Sequence, residues 1–368
     1  MKINPILYSL FFLLFLSLSA CESDDDAMED ALDNNPSQTD FSDLLINQID
    51  HIIIPAMDDY QTEMSDLKLA TESFMANTDA QKLSDLRQAF LDAYLSYQSA
   101  AMHNYFATQN QALVSSSNLF PIDTAALEGF IANRSYNFST SAQQRANGFP
   151  ALDYLLFGKN NTLGTFTTDS NRLDFLDELV SFMSNKSIDL ANSWKGNLRD
   201  NFIANGGTQL GSSISVQLNE SLLYYEEHIR ENKVGIPIGR LGPNDSPIAP
   251  DASKIEAFYF SQYSSNETFT LSLVKKAVEE MERIYLGEGS DPTDDQGYDD
   301  LLIVRNQSAI DNDIKAQFAA IYDEIDNRAS ISGNEALYNK IQGIITLYKS
   351  DLLPILNVQD ADGANDGD

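Results

Sequence analysis

The sequence predicts an all-α protein made of two helical bundles packed side by side. Apolar residues recur at three- and four-residue steps through most of the chain after residue 40, which is the spacing of one helix face. No alternating pattern typical of a strand continues for more than a few residues. The length of 368 residues exceeds what one core usually serves, so two domains are expected.

The first twenty residues are expected to be a signal peptide and no part of the fold. Lys2 precedes an apolar run at 6–18, and residues 18–21, which read LSAC, resemble a bacterial lipobox. Cys21 is the only cysteine, so it has no disulfide partner and is expected to carry lipid. A membrane-spanning helix would need about 20 apolar residues, more than this run supplies. We therefore predict a lipoprotein of the bacterial envelope, anchored in the outer membrane and facing the periplasm or the cell surface.

Acidic segments flank the predicted fold. Residues 21–39 begin CESDDD and are too polar to form a core, so we expect a solvated tether. Residues 357–368 are expected to form a disordered acidic tail. The formal net charge is -32, from 55 acidic and 23 basic residues. Such a charge repels nucleic acid and anionic membrane surfaces, which disfavours both as partners, and it weakly favours cationic ligands.

The first predicted bundle covers residues 40–165 and opens with two long amphipathic helices. The helix at 40–77 contains Pro55, which should kink or interrupt it because the proline ring clashes with the preceding turn. The helix at 79–106 carries a stripe of tyrosines, a pattern that is usually core. Tyr97 in this stripe either packs in the core or lines a pocket.

The second predicted bundle covers residues 166–356. A link rich in Thr, Asn and Gly at 160–170 marks the boundary between the bundles. After the link, apolar stripes and capping residues predict five further helices. They are expected at 171–202, 212–231, 266–286, 311–327 and 334–353.

The stretch 148–158, which reads GFPALDYLLFG, holds one carboxylate within an almost wholly apolar run. An ionised Asp153 buried there would lose hydration worth several kcal/mol unless another group compensates. One interpretation is a helix start, because Pro150 suits a first turn and Asp153 would face the positive end of the helix dipole. The other is that Asp153 points into a pocket.

This stretch resembles the signature of the imelysin family, which comprises peptidase family M75 and its iron-regulated relatives. The family carries Gly-x-His-x-x-Glu before an apolar ending, whereas this chain has Pro150 in place of the histidine and Asp153 in place of the glutamate. Residues 233–239, which read KVGIPIG, resemble a loop of imelysin-like lipoproteins. The resemblance extends over 40–356, and it implies two bundles whose motif loops meet at the groove between them.

Three carboxylates lie on neighbouring turns of the first predicted bundle. Asp123 follows a turn that resembles the family's Pro-Leu-Asp turn, and it could simply cap a helix. Asp123, Glu128 and Asp153 could instead converge on a groove and bind a hard or borderline cation, such as iron or another divalent metal. Both interpretations remain open from the sequence.

Further candidate ligand-binding residues come from both predicted bundles. The resemblance places Lys233 and Glu256 beside Tyr97, Pro150 and the three carboxylates, although Glu256 could equally be a surface charge. A literal His-x-x-Glu string at 228–231 lies among charged residues, which is typical of a solvated helix end where a cationic histidine favours the dipole.

Three functions are compatible with these features. The first is a non-catalytic binding lipoprotein that takes part in the uptake of iron, haem or a related ligand together with transport components, as the resemblance implies. The second is a metallopeptidase of the M75 type, which needs metal ligands and a base. The chain has three histidines and none stands at the motif position. The third is a scaffold or partner-binding module.

Overall fold

A computed structural model describes residues 41–105, 113–240, 246–289 and 296–361. Within these ranges the regular structure is helical and no residue lies in a strand, so the predicted all-α class is confirmed. None of the helices in these ranges combines the length and the apolar character that crossing a membrane requires. The predicted signal peptide, the predicted lipid attachment at Cys21 and the predicted tether lie outside the described residues.

The described residues form seventeen α-helices, numbered here in chain order. They are α1 Ser42–Asn47, α2 Ile54–Ala76, α3 Ala80–Met102, α4 Leu113–Ser117, α5 Thr124–Asn133, α6 Gly148–Phe157, α7 Thr162–Thr168, α8 Ser170–Ser193, α9 Arg199–Ala204, α10 Ser213–Tyr224, α11 Ile236–Ile238, α12 Phe258–Ser264, α13 Thr268–Leu286, α14 Tyr298–Val304, α15 Ser308–Asp326, α16 Glu335–Leu347 and α17 Leu353–Leu356. Two short 3₁₀ turns, Ser141–Ala146 and Ala252–Lys254, lie between them.

Wider π-helical segments join several of these helices end to end. They are Gln48–Ile53 before α2, Trp194–Leu198 before α9, Tyr225–Gly235 before α11 and Tyr348–Leu352 before α17. Three of the four lead into a helix with proline in its first turn, at Pro55, Pro237 and Pro354. A proline has no N–H and its ring crowds the carbonyl four residues earlier, and a wider turn gives that ring room. The interruption predicted at Pro55 therefore takes the form of a π-helical segment.

The long helices share one apolar core. Helix α3 packs against α2 and α13, and α2 also packs against α8. Residues from Asp40 onward form one compact unit by their contacts. The division into bundles at 40–165 and 166–356 stays a prediction, and α8, the first long helix after that boundary, packs directly on α2.

Two segments that we expected to lack helical or packed structure have it. Residues 162–168 of the predicted link form α7, because the Asn161 side chain caps the helix by accepting from the Gly164 N–H at 3.1 Å. Residues 357–361 of the predicted tail pack on the fold, where the Ala361 N–H donates to Asn219 at 2.9 Å. The rest of the predicted tail, from 362, lies outside the described residues.

Candidate functional site

Helix α6 is the signature stretch, and every one of its residues is buried. Gly148 begins the helix with φ +74°, a left-handed conformation that glycine adopts without strain. A Cβ at this position would overlap with the backbone carbonyl of Ser117. Phe149 stacks on Tyr94 of α3, with ring centroids 4.4 Å apart and planes 3° apart. Glycine at 148 thus allows α6 to enter the core against the C-terminal end of α4.

The Asp153 carboxylate caps another helix. It is 2% exposed, and its two oxygens accept from the Tyr259 and Phe260 N–H groups of α12, each at 2.8 Å. Burial raises the pKa of Asp153 to about 7, and the two backbone hydrogen bonds act in the opposite direction. We expected from the helix-start interpretation that Asp153 would face the free N–H groups of its own helix. That expectation is wrong, because the N–H groups that donate to Asp153 belong to α12.

A small cavity, the signature cavity, lies beside this cap. Its volume is about 150 Å³, and its lining includes Pro150, Asp153, Ile255 and Phe258. Ligand pockets usually measure roughly 300–1,000 Å³, so this space suits a small group or one edge of a larger ligand. Asp153 therefore both caps a helix and lines a cavity, and Pro150 lies beside it.

Lys233 and Glu256 form a buried ion pair. Lys233 is 1% exposed and Glu256 is 0% exposed, and the ammonium donates to Glu256 Oε2. Burial lowers the pKa of Lys233, and the Glu256 charge opposes that effect. The surface-charge interpretation of Glu256 is wrong. Because Lys233 is paired with Glu256, it is not the group that compensates Asp153.

Neutral side chains complete the surroundings of this pair. Gln98 Oε1 accepts from Lys233 at 2.8 Å, and Asn118 Nδ2 donates to Glu256 Oε1 at 2.6 Å. The Tyr94 hydroxyl donates to Asn118 Oδ1 at 2.7 Å. Our sequence interpretation missed Gln98 and Asn118, and the only signal for them is their position beside Tyr97 and before the 119–122 turn. We call Tyr94, Gln98, Asn118, Lys233 and Glu256 the Lys–Glu network.

Tyr97 packs inside the core next to this network. Its ring lies 5.2 Å from Phe149 and 5.9 Å from Tyr60, both measured between centroids. The side chain is fully buried. Of the two interpretations that the tyrosine stripe left open, the contacts of Tyr97 are those of a core residue.

The three carboxylates that we expected to share a metal are engaged separately. Asp123 caps α5 by accepting from the Ala126 N–H at 2.9 Å. Glu128 accepts from the Tyr154 hydroxyl at 2.5 Å and forms ion pairs with Lys159 at 3.0 Å and Arg172 at 2.5 Å. Burial alone would raise the pKa of Glu128, but these three donors outweigh it and lower the pKa.

These surroundings do not suit a cation. Two basic side chains already occupy Glu128, and the Asp153 oxygens point at backbone N–H groups. Within the ranges that the structure describes, no group of three or more His, Cys, Asp or Glu side chains could hold a metal ion. The predicted metal site of Asp123, Glu128 and Asp153 is therefore not assembled in these ranges.

His228 lies on a helical segment that continues past it. The chain remains helical through Gly235 and α11, so the interpretation of a solvated helix end is wrong. The His228 ring lies 4.9 Å from the Tyr224 ring, and its Nδ1 lies 3.2 Å from Asn232 Nδ2. Burial lowers the pKa of His228 to about 4, with the Lys233 charge adding to the effect, so the ring is neutral at pH 7. The ring lines a second cavity of about 330 Å³.

A second buried polar network lies between α3 and α13. His103 Nε2 lies 2.7 Å from Glu280 Oε1, and both side chains are fully buried. Burial would raise the pKa of Glu280, but the hydrogen bond and charge of His103, helped by Arg283, lower it to about 2. His103 Nδ1 lies 3.0 Å from the Tyr105 hydroxyl. No local pattern indicates this pairing, because His103 and Glu280 lie 177 positions apart in the chain.

Comparison with known proteins shows which family this chain belongs to. The family model described as imelysin, peptidase M75, matches residues 53–343, which is most of the chain. The chain belongs to the imelysin family. The family that the sequence resembles is thereby confirmed.

Solved structures of imelysin-like proteins share the fold. A protein from Parabacteroides distasonis ATCC 8503, described as an iron-regulated protein A precursor, matches with a TM-score of 0.72 and 16% identity, over 88% of this chain and 97% of that one. An imelysin-like protein from Psychrobacter arcticum 273-4 matches with a TM-score of 0.66 and 16% identity, over 88% and 98% of the two chains. No curated protein matches the chain significantly. At this identity the two structures support the fold of this imelysin-family chain.

Proposed function

We propose that this imelysin-family chain is a non-catalytic lipoprotein of the bacterial envelope that binds iron, haem or a related ligand for uptake. Lipid on Cys21 would anchor it to the outer membrane, on the periplasmic or the surface side. Transport components for iron or haem would be its partners. The description of the Parabacteroides distasonis protein as iron-regulated supports this direction.

The observation that carries the proposal is the use of Asp153 as a helix cap. Metal-assisted hydrolysis needs ligands that hold the metal with an open position, and a base that activates water. At the signature position this chain has Pro150, which cannot ligate, and a carboxylate whose two oxygens accept backbone N–H groups. The residues beside the signature cavity are thus suited to binding an apolar group and to fixing α12.

The Lys–Glu network supports the same interpretation. A general base needs a lone pair directed at the substrate. Glu256 instead accepts from Lys233, Asn118 and Gln98, and it is fully buried. A saturated, internally neutral network stabilises a fixed shape for the surrounding loops, which suits binding.

The direct experiment measures binding and hydrolysis with the same purified protein. Haem binding is followed by absorbance, ferric citrate binding by calorimetry, and casein cleavage with and without a chelator. We expect one of the two iron-bearing ligands to bind, and casein to remain intact. Ser253→Trp should weaken that binding, because Ser253 is an exposed residue lining the signature cavity. Ser272→Trp on the exposed face of α13 is the matched control.

A metallopeptidase would give a different pattern. The neutral His228 ring lines the 330 Å³ cavity and stands three residues before Glu231, so this pair is the place to test for catalysis. Chelator-sensitive casein cleavage that is lost in His228→Ala or Glu231→Ala would overturn the binding proposal. Absence of both binding and cleavage would favour the scaffold alternative.

A further inference from the structure

A third cavity, which we call the Arg87 cavity, has a volume of about 560 Å³. Its walls are Leu83 and Arg87 of α3, the turn at 157–163 between α6 and α7, and Tyr259, Gln262 and Tyr263 of α12. The volume lies within the roughly 300–1,000 Å³ of ligand pockets. The signature stretch contributes to this cavity in two ways. Its C-terminal end forms part of one wall, and Asp153 caps α12, which forms another.

The charge of the lining differs from that of the molecule. The chain has 55 acidic and 23 basic residues, yet the lining contains Arg87 and Lys159 and no Asp or Glu. A random sample of this surface would be acidic. Local positive charge within a strongly negative protein indicates a site for a negative group.

Arg87 is fixed in place without a counter-charge. Its Nε and Nη2 donate to the Leu156 carbonyl at 3.0 and 2.6 Å, and its Nη1 donates to the Tyr263 hydroxyl at 3.2 Å. The guanidinium carbon lies 4.9 Å from the Phe157 ring centre and 4.6 Å from that of Tyr263. No carboxylate of the described residues forms an ion pair with Arg87. A guanidinium has further N–H donors on Nη1 and Nη2 beyond these three bonds.

The effect of burial on Arg87 is consistent with the absence of a counter-charge among the described residues. Burial lowers the pKa of Arg87, and the nearby Tyr263 opposes that effect. An ion pair would compensate a partly buried cation, and here the compensation comes from a carbonyl, a hydroxyl and two aromatic rings. A bound oxyanion would supply the missing negative charge through two parallel N–H···O bonds.

Lys159 adds a second positive group at the cavity wall. Its Nζ lies 3.0 Å from Glu128 and 5.0 Å from the centre of the Tyr154 ring. Arg172 shares the same carboxylate, so two cations surround one anion and a positive charge remains. Lys159 therefore adds a second basic residue to a lining that already contains Arg87 and has no carboxylate.

We propose that the Arg87 cavity binds an organic oxyanion, namely a carboxylate or phosphate ester with an apolar or aromatic body. The oxyanion meets Arg87 and Lys159, and the body lies against Tyr259, Tyr263 and Leu83. This site is separate from the Lys–Glu network and does not depend on a role in iron uptake.

The test uses calorimetry on the full chain purified in detergent. The probes are phenyl phosphate and benzoate as aromatic anions, inorganic phosphate as an anion without a body, and benzylamine as an aromatic cation. We expect one of the aromatic anions to bind, inorganic phosphate to bind more weakly, and benzylamine to give no heat.

The deciding variant is Gln262→Glu. Gln262 is an exposed lining residue, so the change adds a carboxylate to the cavity and leaves the Arg87 contacts intact. We expect the dissociation constant of the bound anion to rise about tenfold or more, which is about 1.4 kcal/mol. Gln209→Glu adds the same charge at an exposed turn elsewhere and should leave binding unchanged.

Arg87→Gln should abolish binding. Because this change also removes both bonds to the Leu156 carbonyl, the melting temperature is measured alongside to detect any loss of structure at the end of α6. Gln262→Glu keeps the test decisive in either case. Equal anion affinity in Gln262→Glu and the wild type would overturn the proposal. Tighter binding of benzylamine than of both aromatic anions, or no binding of either anion, would overturn it as well.

Discussion

At the scale of single residues, the buried Lys233–Glu256 pair shows how a charge becomes tolerable inside this protein. Removing two charges from water costs several kcal/mol per ion, and their attraction repays it only when the remaining donors and acceptors are satisfied. Gln98 and Asn118 provide that satisfaction, since each contacts the pair directly. The pair is thus sensitive to the loss of either member.

We expect Lys233→Met to destabilise the protein by about 3–5 kcal/mol, because Glu256 is left buried without its counter-charge. Urea unfolding measures the effect. Lys275→Met is the matched control, because Lys275 forms an exposed pair with Asp326 at 2.7 Å, and such pairs contribute about 0–1 kcal/mol. Adding Glu256→Gln to Lys233→Met should recover part of the loss. Similar losses for Lys233→Met and Lys275→Met would contradict a buried, mutually dependent pair.

Glu280 provides a prediction about pH. Its folded pKa of about 2 is below the ordinary 4.5, so its carboxylate stabilises the folded state above pH 4.5. That contribution, about 3 kcal/mol, is lost as the pH falls from about 4.5 towards 2. The stability difference between wild type and Glu280→Gln should therefore shrink over this window. Unfolding curves at pH 7, 4 and 3 measure it, with Glu279→Gln on the same helix as control.

A constant difference between wild type and Glu280→Gln from pH 7 to pH 3 would show that the His103 contact does not depress the Glu280 pKa. In that case the buried His103–Glu280 pair would stabilise the fold through packing and not through the charge of Glu280. The same measurement in Glu279→Gln separates this result from the general effect of acid on a chain with 55 acidic residues.

At the scale of elements, α6 depends on the residue that begins it. Gly148 has a left-handed φ and lies against the Ser117 carbonyl. A side chain there would be strained by the backbone conformation and would also overlap with that carbonyl. We expect Gly148→Ala to cost more than the roughly 1–2 kcal/mol of a left-handed residue, because the backbone must also move. Thermal unfolding measures the change.

Gly129 in the middle of α5 is the matched control for Gly148. A Cβ at Gly129 would meet no atom within 4 Å, so Gly129→Ala should stabilise its helix by up to about 1 kcal/mol. Opposite signs for the two changes are expected. Equal, small effects would mean that α6 can enter the core in another way.

The cap that links α6 to α12 gives a further prediction. Asp153→Asn replaces one of the two accepting oxygens with a donor and leaves one buried N–H of α12 unsatisfied, which costs about 1–3 kcal/mol. We expect the melting temperature to fall by the same amount with and without a chelator, because the contact is to backbone N–H groups. A fall seen only without chelator, together with lost metal content, would instead assign Asp153 to a metal.

The sequence predicts the positions of the long helices well, but it does not predict which distant residues contact one another. Amphipathic spacing located α2, α3, α8, α13, α15 and α16, since helix periodicity is a local property. It could not reveal that Asp153 contacts backbone 106 positions away, or that Lys233 meets Gln98 135 positions away. Those pairings arise only when α3, α6 and α12 pack together. The family resemblance brought Lys233, Glu256 and Asp153 to attention without showing how they are arranged.

At the scale of the whole molecule, helices from the early and late parts of the chain share one core. Contacts of α3 with α13 join the early and late parts of the fold into one compact unit from Asp40. The buried charges of Lys233, Glu256 and Glu280 are paired, and Asp153 caps α12. The net charge of the whole chain, -32, discourages contact with anionic lipid surfaces. An acidic chain of this kind does not by its charge favour attachment to such a surface.

Lipid on Cys21 is the expected membrane anchor, and the replacement of Cys21 is the last prediction. One acyl chain gives only marginal membrane binding, whereas several chains on one cysteine give stable anchoring, at about 0.8 kcal/mol per buried CH₂. The acidic surface cannot substitute for lipid, because it adds no attraction to anionic headgroups. We therefore expect Cys21→Ser to move the protein from the membrane pellet to the soluble fraction after cell fractionation, with the melting temperature of the fold unchanged. Ser23→Ala, two residues further on, is the control and should stay in the pellet. Sedimentation of Cys21→Ser with the membranes would show that another part of the chain, or a partner, provides the attachment.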